Sequence, residues 1–156
     1  MARLLHLTGM AVGGIGIFLG FCLLSSRPFT ALALVTGTCV GVVGTLAFVR
    51  HVIFHRSDAA RLGWQTDCPD WQFEVGFANL AFGLTGCLVA LWLPSYPAFS
   101  VLLLAYSLYL GQAAALHFYR YLTDEHRSPA RLWRSVIGTF LFAVMMAVFA
   151  VRAFRG

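Results

Sequence analysis

The chain has 156 residues, 60% of them hydrophobic and only 11% charged, with mean hydropathy +0.79 and a formal net charge of +5. A water-soluble domain carries about 25% charged residues, so a water-facing surface is excluded, and the apolar blocks are long enough to span a bilayer. All the positive charge is arginine, set beside apolar runs instead of in a basic patch interleaved with aromatics, so it reads as membrane topology and not as nucleic-acid binding.

Five apolar runs predict one all-α integral membrane domain, a bundle of five transmembrane helices over about residues 5–24, 28–62, 70–93, 98–121 and 129–153. The first run ends in Ser25-Ser26-Arg27-Pro28. It faintly imitates a secretory signal but reads as a retained helix. Its Gly16-x-x-x-Gly20 spacing permits close approach of another helix, either within the chain or in a second copy, and Gly37-x-x-x-Gly41 repeats the pattern in the second run. Homo-oligomers through these glycine faces are one expectation. The other partner implied is the lipid bilayer itself.

Pro28 suits the first position of the second helix, which is expected to continue past Val49 to Leu62 and to stop at Gly63. Trp64 and Trp71 in the following loop favour the headgroup layer. Pro94-Ser95-Tyr96-Pro97 makes an uncharged turn. Asp124-Glu125-His126-Arg127 makes a charged one, and Ser128-Pro129 starts the last helix.

Arg3, Arg50, Arg56, Arg61, Arg120, Arg127, Arg131 and Arg134 fall on one side of this arrangement, against Arg27, Arg152 and Arg155 on the other. The positive-inside rule then places the N-terminus and both long loops in the cytoplasm, the C-terminus outside, and the protein in the cytoplasmic (inner) membrane. Cys22, Cys39, Cys68 and Cys87 show no Cys-x-x-Cys spacing, so neither a disulfide framework nor a redox pair is expected. P-loop and Gly-x-Ser-x-Gly signatures are missing, which leaves nucleotide hydrolysis and serine-hydrolase chemistry without support.

The densest group of titratable residues begins at Arg50-His51-Val52-Ile53-Phe54-His55-Arg56-Ser57-Asp58. At helical spacing His51, His55 and Asp58 share a face, and two histidines four apart can chelate a metal. Glu74 opens the third helix and His117 closes the fourth, at the same predicted depth. His51, His55, Glu74 and His117 therefore form a candidate site for a divalent Zn, Fe or Mn ion, with Glu74 as ligand or general base and Asp58 orienting a histidine. Such a centre would serve a metal-dependent step on a membrane-soluble substrate. Alternatively the same group is the mouth of a proton or ion path, continued inward by Asn79, Tyr106, Tyr109 and Gln112, or the chain is a non-catalytic subunit or assembly factor. The plainest reading keeps the histidines among headgroups and the amides in inter-helix hydrogen bonds.

From His51 to Leu80 the chain resembles a bacterial family of small multi-pass membrane proteins of unknown function. The residues that carry the likeness are His51 and His55 at a helix end, Gly63-Trp64, the helix start Gln72-Phe73-Glu74-Val75-Gly76-Phe77-Ala78-Asn79-Leu80, and the later pair Gly111 and His117. The resemblance implies a membrane fold and supports the choice of residues. It implies no activity.

Overall fold

A computed structural model describes residues 1–62, 68–123, 129 and 132–156, and almost all of them are helical. The elements are α1 (Ala2–Leu24), α2 (Pro28–Ile53), α3 (His55–Leu62), α4 (Asp70–Leu91), α5 (Tyr96–Thr123) and α6 (Gly138–Phe154), with a π-helical turn, Leu132–Ile137, running directly into α6. Strands are absent among the described residues. Four helices, α1, α2, α4 and α5, are long and apolar enough to cross a membrane, whereas α6 is apolar but has 17 residues. The chain is a multi-pass, all-helical, membrane-embedded protein. The expected features at Gly63, Trp64, Asp124, Glu125, His126 and Ser128 lie outside the described residues.

The bundle is apolar on its outer face as well as in its core. Phe18, Leu84, Leu108 and Phe140 point outward, where lipid tails cost them nothing. Inside, Leu32, Val35 and Val40 of α2 meet Leu103 and Tyr106 of α5 and Met146 and Phe149 of α6. α6 packs along α5, and α4 packs along α2.

The α2–α4 seam is where glycine is required. A Cβ on Gly86 would lie 2.6 Å from the Gly41 backbone nitrogen, and one on Gly44 would lie 3.0 Å from the Gly83 Cα. These are backbone-to-backbone contacts that no side chain can relieve. Gly16 and Gly20 likewise face residues of their own chain, Thr38 with Cys39 and Val35 with Phe149 respectively.

The second helix departs from the expected unbroken 28–62. Two π turns, Thr36–Val42 and Val49–Ile53, interrupt its α pattern. Thr38 Oγ1 hydrogen-bonds the Leu34 carbonyl at 2.7 Å, and Thr45 Oγ1 bonds that of Gly41 at 2.9 Å. Such back-bonding diverts carbonyls of the ladder and bends helices. At the second π turn the Phe54 amide bonds the Val49 carbonyl, five residues back, and Phe54 itself turns to φ −107° and ψ 29°. The helix stops there and α3 restarts at His55.

Candidate functional site

The break at Phe54 restarts the chain as α3, whose first turn brings Asp58 against the end of α2, and that places the site. Asp58, on the first turn of α3, has a fully buried side chain. Arg61, one turn further on, sends Nε (3.1 Å) and Nη2 (2.9 Å) to Asp58 Oδ1. Arg50 Nε approaches the same oxygen at 3.4 Å from the π turn of α2. His51 Nδ1 lies 2.9 Å from the other carboxylate oxygen, Oδ2. Two guanidiniums and one imidazole therefore converge on a single carboxylate.

Arg50 also joins two imidazoles. Its Nη2 lies 2.9 Å from His51 Nε2, and its Nη1 lies 2.9 Å from His6 Nδ1 on α1. A guanidinium can only donate, so both ring nitrogens accept. His51 is then the neutral tautomer with its proton on Nδ1, facing Asp58, and His6 is neutral with its proton on Nε2. With both rings uncharged, two arginines stand against one aspartate. The cluster carries excess positive charge.

Burial by itself would raise the Asp58 carboxyl. The His51 contact, the charge of Arg50 and the Arg61 hydrogen bonds outweigh it and hold the group down from its ordinary 3.8 to about 2. Asp58 is a carboxylate at any physiological pH.

A second polar group lies deeper in the membrane. Asn79 of α4 donates from Nδ2 to the Tyr109 hydroxyl at 2.7 Å and accepts at Oδ1 from the Tyr106 hydroxyl at 3.2 Å. The Tyr109 hydroxyl donates in turn to the Val75 carbonyl at 3.4 Å. The two tyrosine rings stack, their centroids 5.9 Å apart, and both pack on Phe82. Every polar atom of the amide finds a partner on the neighbouring helix or its own backbone, as hydrocarbon surroundings demand. Both tyrosines also lie within electrostatic reach of Arg50.

Of the residues singled out in the sequence, His51 and Asp58 come together, and so do Asn79, Tyr106 and Tyr109. His55, Glu74 and Gln112 stand apart from them. His55 turns away from the shared face: its Nδ1 lies 3.0 Å from the Val52 carbonyl, and its ring meets Phe73 edge-on. The i, i+4, i+7 alignment assumed unbroken α geometry, and the π turn with the restart at His55 removes that phase. Glu74 and Gln112 are both exposed on the outside of the bundle. His117 is half-buried on α5, within coulombic range of Arg50, His51 and Arg120. Among the described residues, no three His, Cys, Asp or Glu side chains come together as a metal-binding group. The residues that sequence reasoning left out of the site are Arg50, Arg61 and His6. The i, i+3 spacing of Asp58 and Arg61 was a readable signal. His6, 44 residues away from Arg50, had none.

These features define a class: a helical membrane protein with a buried, charge-paired clasp at one end of its bundle. The chain belongs to DUF6790, a family of unknown function, whose family model matches residues 5–156. No curated protein and no solved structure matches it.

Proposed function

We propose that this is a proton- or ion-handling membrane protein whose working centre is the Arg50–His51–Asp58 cluster. The observation that carries the reading is the competition at His51 Nε2, where the Arg50 guanidinium occupies the one lone pair on which the ring would take up a proton. When the Arg50 side chain swings away, the imidazole becomes a base. Asp58, 2.9 Å from Nδ1, then holds the resulting imidazolium. Ionisable groups kept inside a membrane bundle are costly and are retained for such work. The Tyr109–Asn79–Tyr106 group, within reach of the Arg50 charge, would continue the path inward.

Divalent-metal binding by His51, His55, Glu74 and His117 draws less support. A cation would have to displace Arg50 from His51 beside a second guanidinium, and Glu74 faces outward. The arginine bias supports an orientation in the cytoplasmic membrane with the Arg50 end inside.

The test is flux. Purified protein reconstituted into liposomes loaded with a pH-sensitive dye should dissipate an imposed proton gradient. His51→Gln, which keeps a polar ring-sized group but no titratable nitrogen, should do so about tenfold more slowly. Wild-type liposomes as tight as empty ones would remove the reading, as would a variant that leaks at the wild-type rate.

A further inference from the structure

At the far end of the bundle the structure offers a different chemistry. His6 of α1 sits against Arg50, and Leu24 lies eighteen residues on, roughly 27 Å along the helix. There α1 and α6 enclose an open groove of about 390 Å³. Leu24 forms one side. Val144, Ala147, Val148 and Val151 form the other, and Arg152 and Arg155 complete the lining. Val144, Val148, Val151 and Arg155 are spaced i, i+4, i+7, i+11, so they make one stripe on α6 that is apolar for its length and cationic at its tip.

Among the described side chains the two arginines have no acidic partner. The acidic side chains among the described residues are Asp58, Asp70 and Glu74, on α3 and the first turns of α4. That is the Arg50 end, since Gln72 of α4 reaches the His55 carbonyl. Arg152 and Arg155 make no ion pair with any described side chain. Arg152 is nevertheless half-buried and lines the groove, and an arginine in such a place covers apolar surface with its stem while its charge seeks the polar edge. An amphiphile with hydrocarbon for the valine stripe and a negative group for the guanidiniums complements both halves at once.

We infer that the α1–α6 groove binds a phospholipid with an anionic headgroup, one acyl chain lying along Leu24, Val144, Val148 and Val151 and the phosphate at Arg152 and Arg155. The site is independent of the proton-handling cluster. Native mass spectrometry of detergent-purified protein titrated with phosphatidylglycerol or phosphatidylcholine tests it. The wild type should retain phosphatidylglycerol about tenfold more tightly. Arg152→Gln/Arg155→Gln should erase that preference, whereas Arg27→Gln, outside the groove at the same end of the bundle, should keep it. Val148→Trp, which fills the groove without touching charge, should lower retention of both lipids. Equal retention of the two lipids by the wild type overturns the inference. So does a preference that survives the double substitution, or one that Arg27→Gln also abolishes.

Discussion

Asp58 illustrates how much one side chain can organise when it is sealed from solvent. Its carboxylate serves Arg50, Arg61 and His51, and removing one member of a buried ionic group leaves the others uncompensated. Asp58→Asn should lower the denaturation midpoint in mixed SDS micelles by the equivalent of about 3 kcal/mol. The acid dependence follows from the direction of the shift. The folded-state pKa lies near 2, below the ordinary 3.8, so the ionised group stabilises the fold above pH 3.8. That contribution, about 2 kcal/mol, fades as pH falls towards 2. Wild-type stability measured from pH 5 to pH 2.5 should drop over this window, whereas Asp58→Asn should miss that component. Equal slopes for the two proteins would show that Asp58 does not carry it. At this scale the sequence was partly legible. Glu74 was misplaced for a reason its own helix displays: the buried face of α4 is Gln72, Gly76, Asn79, Gly83 and Gly86, and a residue two positions from Gln72 lies roughly 200° around the helix.

Among the elements, α2 and α4 approach closest. A methyl at Gly86 would strike the Gly41 backbone at 2.6 Å, and neither helix can retreat without opening the seam that also holds Gly44 and Gly83. Gly86→Ala should therefore cost about 2 kcal/mol of stability in SDS titration. Gly111→Ala, where the added methyl meets open space, should stay within about 0.5 kcal/mol. Helix propensity favours alanine at both positions, so a Gly86→Ala protein as stable as Gly111→Ala would show that the seam does not demand glycine. Glycine spacing announced that seam in the sequence, because Gly37-x-x-x-Gly41 is a packing signal. The π turns were not announced. The first lies where threonine hydroxyls and close backbone contact compete with the α ladder, and only the assembled pair of helices makes that competition visible. One consequence was the false alignment of His55 with His51.

For the whole molecule, hydropathy carried the architecture. Backbone groups in hydrocarbon must be satisfied within each segment, so long apolar runs leave helix as the choice, and helices form at these runs, four of them long and apolar enough to cross a membrane. The pairing of ends is less legible, because α1 meeting α2 through His6 and Arg50 is a contact between distant positions. The proposed orientation has a direct check in Cys68, which is exposed and precedes α4, whereas Cys22, Cys39 and Cys87 lie within α1, α2 and α4. A membrane-impermeant maleimide should label Cys68 in inside-out vesicles and spare it in right-side-out ones. The opposite pattern would invert the topology.

The clasp also bears on the order in which the protein is made. His6, Arg50, His51, Asp58 and Arg61 all belong to the first 61 residues, so each of these partners is synthesised before α4 begins. Chains assemble from the N-terminus as they emerge, and this one can neutralise these buried charges before its last helices have emerged. The later helices then dock onto a hairpin whose electrostatics are already settled.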